Sequence, residues 1–227
     1  RYYDPETGKF YEVDAQGISR PLLDGTFPEV KTLNWSPSGS EAIMKFPDGR
    51  HVYYNLDTKQ QVTLPLQFDE PEFSTTGKEI AFEFHGRNPE DDSFVGYGNP
   101  DGSEITPVEL LGFEAPDVDV NWSPKGDVLA TFRDSVSGSD QEVFLIGKQG
   151  ENLKSFRVEG RGFEGEWSPQ GDKMMYSVYT PSGNYAPELW ITDVGGANTG
   201  ANNGSLGFPT WIDKCTFASN SSAYCGV

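Results

Sequence analysis

Trp-Ser-Pro-x-Gly occurs three times, as NWSPSGSEAIM (34–44), NWSPKGDVLAT (121–131) and EWSPQGDKMMY (166–176), each time ahead of a short apolar run. An internal repeat constrains a fold more than any isolated motif, because every copy must become the same local unit and stack on its neighbours. Aligned on the aromatic, two worn copies join the three clean ones: Phe73 leads Phe-Ser-Thr-Thr-Gly and Phe217 leads Phe-Ala-Ser-Asn-Ser. The leading residues Trp35, Phe73, Trp122, Trp167 and Phe217 are then 38, 49, 45 and 50 residues apart.

Each copy reads alike in physical terms. A strand ends at the aromatic, Pro presets φ in the turn, and Gly takes the positive φ. A second strand follows: EAIMKF (41–46), EIAFEF (79–84), DVLATF (127–132), KMMYSV (173–178) and AYCGV (223–227). After a variable loop comes a third strand: HVYYNL (51–56), FVGYG (94–98), EVFLIG (142–147) or ELWITD (188–193). Turn signals follow, then a weaker fourth strand, as in QVTLPL (61–66) and LKSFRV (153–158). No stretch sustains a 3.6-residue apolar period, so almost no helix is expected. Units of this length and order fit the four-stranded blade of a β-propeller. The fold class expected is therefore all-β, with antiparallel blades in one domain over residues 1–227.

The two ends do not carry whole units. Residues 2–23 read as the later strands of a blade, and 214–227 as the first part of one. Five blade-equivalents are expected in the chain, within a native ring of six or seven blades in a longer protein. Direct pairing of 2–23 beside 214–227 would instead close the ring at five.

The chain has 227 residues with 35% hydrophobic and 13% aromatic content, ample for a core and too aromatic for disorder. Its formal charge of −18 argues against a nucleic-acid backbone or an anionic bilayer as partner, since both would be repelled. No apolar run approaches the roughly 20 residues of a membrane span. The sequence starts at Arg1 rather than Met, so an export signal or anchor upstream is an open expectation.

Trp-Ser-Pro-x-Gly before two or three apolar residues, with an outer strand ending in x-D-x-x-G, resembles the TolB-like propeller repeat over nearly the whole chain. That resemblance implies the fold and leaves the role open, since the repeat serves many functions. The wording of YYDPETGKFYEV, VEGRGFEGEWSP and WIDKCTFASNSSAYC is also similar to uncharacterised extracytoplasmic propellers of candidate-phylum bacteria. This second resemblance implies periplasmic or cell-surface placement, an N-terminal membrane anchor and a longer chain.

Catalytic motifs are scarce. GRGFEG (160–165) matches the dinucleotide glycine pattern but runs into a strand, where a cofactor cradle needs a helix. DVDVN (117–121) starts like a calcium loop, yet Trp122 and Val128 stand where Gly and Glu are required. NPEDDS (88–93) is an acidic loop that reads as a solvated turn. The two histidines, His51 after a DGR turn and His85 in a loop, read as surface residues. There is no HExxH, Cys-x-x-Cys or G-x-S-x-G, and paired carboxylates cannot be assigned among 35 acidic residues. No catalytic residue, metal ligand or cofactor is expected. Sequons occur at Asn34, Asn121, Asn203 and Asn220, the first two inside the repeat itself.

Propeller geometry gathers the fourth-to-first and second-to-third connections on one face, opposite the Ser-Pro-x-Gly turns. That face is expected to hold Phe68, His85, Arg87, Arg133, Arg161, Phe163, Tyr185 and Trp211, a set suited to a binding surface. Packing between blades is the competing role for several of them. The function expected is a non-catalytic extracytoplasmic module that binds a protein, peptide or glycan. The alternatives are a propeller gating a hydrolase, as in prolyl-oligopeptidase-like peptidases, and a structural surface protein.

Both cysteines fall in the last copy. Cys215 stands two before Phe217 and Cys225 eight after it, like Leu33 and Ile43 in the first copy. Asn220 is equidistant from both, so an antiparallel hairpin places them opposite one another, within reach of a bridge. The alternative is two small buried thiols. The register, together with the extracytoplasmic placement that the resemblance implies, favours a disulfide.

Overall fold

The computed structural model describes residues 1–88, 92–112, 117–149 and 154–226. Their strands form four consecutive four-stranded antiparallel sheets, flanked by a three-stranded sheet and a two-stranded hairpin. The first sheet holds β1 (Tyr2–Asp4), β2 (Lys9–Val13) and β3 (Ser19–Pro21). The first complete blade is β4 (Thr32–Trp35), β5 (Glu41–Lys45), β6 (His51–Asn55) and β7 (Gln60–Thr63). The second is β8 (Phe68–Phe73), β9 (Ile80–Phe84), β10 (Phe94–Gly98) and β11 (Thr106–Leu110). The third is β12 (Val118–Val120), β13 (Val128–Ser135), β14 (Asp140–Gly147) and β15 (Lys154–Glu159). The fourth is β16 (Arg161–Trp167), β17 (Lys173–Tyr179), β18 (Pro187–Asp193) and β19 (Gly204–Ser205). The hairpin is β20 (Cys215–Ser219) and β21 (Ser222–Cys225). This is a propeller architecture of about five blade-like units. No ladder joins β1–β3 to β20–β21 among the described residues, so closure by direct pairing of the two ends is not the arrangement adopted.

The repeated motif is a hydrogen-bonded corner. In each complete blade the turn glycine donates its N–H to the motif serine carbonyl: Gly39 to Ser36 (2.9 Å), and Gly77 to Ser74, Gly126 to Ser123 and Gly171 to Ser168 (2.8 Å each). All four glycines have positive φ, between 63° and 79°, a conformation that costs glycine little. The serine hydroxyl in turn accepts the first N–H of the next strand, from Glu41, Glu79, Val128 and Lys173 at 3.0, 3.3, 3.4 and 3.1 Å. All four serines are buried, so a residue without an acceptor would strand that N–H.

Each sheet buries one face against the sheet before and the other against the sheet after, following the two-residue period of a strand. In β5, Ala42 and Met44 pack toward Phe10 and Leu23 of the first sheet, while Ile43 joins Phe68, Ile80 and Phe82 of the second blade. Later boundaries repeat the pattern. Ala81 and Val95 meet Val118 and Leu129; Val143 and Phe156 meet Phe163 and Tyr176; Met175 and Leu189 meet Ile212 and Cys215. The core is thus a series of layers between blades, which is why both faces of the second strands are apolar.

In the last hairpin Cys215 faces Cys225, and the two form a disulfide with their Cα atoms 4.0 Å apart. The equivalence to the first copy needs one correction. There Leu33 faces Met44, not Ile43. A bulge between Phe217 and Ser219 shifts the last hairpin by one residue relative to the first blade, and this brings the cysteines opposite.

Candidate functional site

The inner strands share a pattern that the motif alignment exposes. Three residues before the aromatic stand Thr32, Glu70, Asp119 and Glu164; one residue before it stand Asn34, Glu72, Asn121 and Glu166. The second set reaches across blade boundaries. Asn34 Nδ2 donates to the Pro71 carbonyl (3.1 Å), Trp122 N–H donates to Glu72 Oε2 (2.9 Å), and Asn121 Nδ2 donates to the Gly165 carbonyl (2.7 Å). Trp167 Nε1 also donates to the Asn121 carbonyl at 3.0 Å. These bonds tie together the inner strands of all four complete blades, and the first three of them enclose a cavity of about 500 Å3.

Thr32, Asn34, Trp35, Lys45 and His51 of the first blade, Glu70 and Glu72 of the second, and Asp119 of the third line that cavity. Burial, reinforced by Asp119 and Glu70, pushes the Glu72 carboxyl up to about 7 against the stabilising Trp122 N–H. Burial and the neighbouring Glu70, Asp69 and Asp119 raise Glu83 to about 8. Burial raises Asp119 to about 6, with Glu70 and Glu164 adding repulsion and Arg133 opposing it. Burial alone raises Glu166. Carboxylates from three consecutive blades therefore act on one another across the inner wall. Glu70 sits at a break in the β8–β9 register with φ 48°, followed by Pro71, which has no N–H to give the ladder.

His51 differs from the sequence expectation. It is 3% exposed rather than a surface residue, and its Nδ1 has no hydrogen-bond partner. Burial, then Lys45, lowers its pKa, with Asp69 and a backbone bond at Phe68 working the other way. Burial thus disfavours the charged imidazolium.

The eight residues expected on the binding face fall into three groups. Phe68 and Phe163 are 1% exposed and belong to inter-blade cores, Phe68 stacking on Phe82 at 3.8 Å. Arg133 donates to the carbonyls of Phe163 (3.0 Å) and Asp117 (3.4 Å), and Arg161 to those of Ser137 (2.6 Å) and Gly138 (3.2 Å). His85 Nε2 lies 3.5 Å from Glu83 Oε2. Arg87 and Tyr185 are exposed, and Trp211 meets Tyr179 edge-on at 6.2 Å. The face does not draw these eight into one cluster. Glu70, Glu72, Asp119 and His51, none of them expected in a site, line one cavity instead.

DVDVN is an inner strand, with Asp119 lining the cavity. GRGFEG is mostly inner strand β16, with Gly160 alone joining it to β15: Gly160 and Gly162 take φ 136° and 68°, and a Cβ at Gly162 would stand 2.6 Å from the Tyr179 ring. Part of NPEDDS, residues 89–91, lies outside the described residues. Among those described, no three His, Cys, Asp or Glu side chains converge to ligate a metal ion. A second recess of about 620 Å3 lies between β17, β18 and the hairpin. It is lined mainly by apolar groups such as Phe208, Phe217 and Tyr224, and its polar members are engaged: Lys173 with Asp193, Asn220 with Asp172.

No protein-family model matches the sequence, and no curated protein matches it. Solved structures do match in fold. The propeller domain of the Trilobed protease from Pyrococcus furiosus superposes with a TM-score of 0.55 at 14% identity, over 78% of this chain and 56% of that one. A putative TolB from Agrobacterium tumefaciens gives 0.53 at 16% identity, over 92% and 65%. An acylaminoacyl peptidase from Pyrococcus horikoshii gives 0.52 at 13%, over 76% and 34%. The matches thus cover between about a third and two thirds of those chains. They show the TolB-like propeller fold and lend no support to the narrower likeness to candidate-phylum proteins.

Proposed function

We propose that this chain is a non-catalytic binding module, placed outside the cytoplasm, whose partner is a polypeptide engaged at the central cavity. The observation that carries this reading is the cavity itself. Three blades contribute to it, inter-blade hydrogen bonds hold its wall, and Glu70, Glu72 and Asp119 give it an acidic lining. Carboxylates held in this way suit the orienting of a bound group. The Cys215–Cys225 disulfide supports extracytoplasmic placement, because such bridges persist in oxidising compartments.

A second reading has its own support. Two of the matched structures carry "protease" or "peptidase" in their descriptions, so this propeller could stand beside a hydrolase in a longer protein. The two readings separate by experiment. The chain, exported natively and used as bait on envelope extracts, is expected to retain a polypeptide and to remain unlabelled by a serine-hydrolase probe. Retention of glycan alone would overturn the polypeptide reading. Probe labelling of this chain would overturn the non-catalytic one.

A further inference from the structure

We propose that the cavity between Thr32, Glu70, Glu72 and Asp119 seats an organic cation, the ammonium or guanidinium of a partner's lysine or arginine, with His51 as a neutral acceptor. The inference rests on the polypeptide-binding reading and adds the chemistry of the anchoring residue.

Three observations point to this occupant. First, Glu70, Glu72 and Asp119 form no ion pair with the protein's own cations among the described residues, and Arg133 only partly offsets the repulsion at Asp119. Lys45 Nζ is committed to Asp69 at 2.9 Å, and Arg133 is committed to the carbonyls of Phe163 and Asp117. Glu70, which raises the pKa of Glu72, Glu83 and Asp119, has no ion pair among the described residues. Repulsion of this kind is relieved by a bound positive charge. Second, His51 lines the same cavity, is 3% exposed, and leaves Nδ1 without a partner. A buried polar atom left unbonded costs free energy, and a donor arriving with the ligand removes that cost. A neutral imidazole holds an acceptor lone pair, which matches the N–H groups of ammonium and guanidinium. Third, the space suits a side chain better than a bare ion. At about 500 Å3 the cavity lies in the range of ligand pockets, and no metal-ligating trio converges among the described residues.

Binding should release protons, because a cation favours the ionised carboxylates. The charged or titratable groups lining the site are Lys45 and His51 from the first blade, Glu70 and Glu72 from the second and Asp119 from the third. Around them, Asp69 and Glu83 of the second blade, Arg133 of the third and Glu164 of the fourth act on these carboxylates or on one another, and His85 sits against Glu83. Loss of protons from Asp119 and Glu72, at about pH 6 and 7, makes binding tighter at pH 8 than at pH 5.

The test is calorimetric titration of the full chain with short capped peptides carrying one lysine or one arginine. Norleucine and citrulline versions serve as uncharged counterparts, and spermidine as a free amine. The expected result is binding of the charged peptides only, weakened about tenfold or more by Glu70→Gln and by Asp119→Asn, in line with loss of a charge-assisted hydrogen bond. Thermal melting confirms that each variant folds. On wild-type protein, the His51 imidazole resonances are expected to shift as peptide is added. Equal binding of the uncharged peptides, no binding at all, or unchanged affinity in a folded Glu70→Gln/Asp119→Asn variant overturns the proposal. Binding of spermidine without any charged peptide overturns the polypeptide source while keeping the cation seat, so the two claims fail separately.

Discussion

Glu72 Oε2 accepts the backbone N–H of Trp122 at 2.9 Å, so an acid on one blade's inner strand caps the aromatic that begins the next blade's corner. The bond spans a sequence separation of 50 residues. Glu72→Ala removes the acceptor and leaves that N–H unpaired, with an expected loss of about 1–2 kcal/mol. Glu72→Gln keeps a carbonyl oxygen in place and is expected to cost less. Denaturant unfolding of both variants checks the order; equal losses would show that the hydrogen bond is not what Glu72 contributes.

Stability is expected to fall as pH rises from about 5 to 8. Glu72, Glu83 and Asp119 hold their protons in the folded state up to about pH 7, 8 and 6. In the unfolded chain the same groups ionise near their ordinary values of about 4. Between those limits the unfolded state sheds protons first, which favours unfolding. Paired carboxylates such as Asp69 beside Lys45 shift the other way and lose their contribution only in more acidic solution. Melting temperatures across this range test the sign. Glu83→Gln is expected to flatten the slope, and a melting temperature that climbs steadily from pH 5 to 8 would contradict the account.

The motif serines are expected to matter by burial. Ser168→Ala strips the acceptor from the Lys173 N–H (3.1 Å) and a partner from Asp172 (3.0 Å) at a fully buried serine, costing about 1–2 kcal/mol. In the worn last copy Ala218 already stands where the motif serine would be, and replacing its exposed neighbour, Ser219→Ala, should change stability by less than about 0.5 kcal/mol. Parallel urea titrations distinguish them.

How much of this was legible before the structure depends on which physics wrote it. Trp35, Trp122 and Trp167 announce the blades because the corner needs a positive-φ glycine and a buried serine at fixed spacing, with a turn proline presetting φ in these three; the second blade makes the same corner with Thr75 in the proline's place. The cysteine pair was legible from the hairpin centre at Asn220, but not the bulge at Phe217–Ser219 that sets its register. The cavity was not legible. Glu70, Glu72 and Asp119 look like any surface acids until the alignment is read inward from the aromatic and the inner strand is known to face the centre. His51 follows a DGR turn that usually marks the surface, yet β6 starts beneath neighbouring strands, and the ring is buried there. Phe68 and Phe163 were assigned to a binding face by their position near the strand starts; their side chains point between blades instead.

Reduction or removal of the Cys215–Cys225 bridge should lower stability by about 2–3 kcal/mol, the chain-entropy value for so short a loop. The effect should be local, since β20–β21 pairs with no other strand among the described residues. Hydrogen exchange on the Cys215→Ser/Cys225→Ser protein is therefore expected to quicken at β20–β21 while the four complete blades keep their protection. Uniform loss of protection across all blades would contradict this.

Site-specific photo-crosslinking tests the central claim most directly. A photoreactive residue at Thr32, exposed at the cavity, is compared with one at Gln170, exposed on a Ser-Pro-x-Gly turn of the opposite face. The account predicts that natively exported protein forms a discrete polypeptide adduct from Thr32 and none from Gln170, and that a lysine peptide suppresses it. The same adducts from both positions, or an adduct from Gln170 alone, would contradict binding at the central cavity.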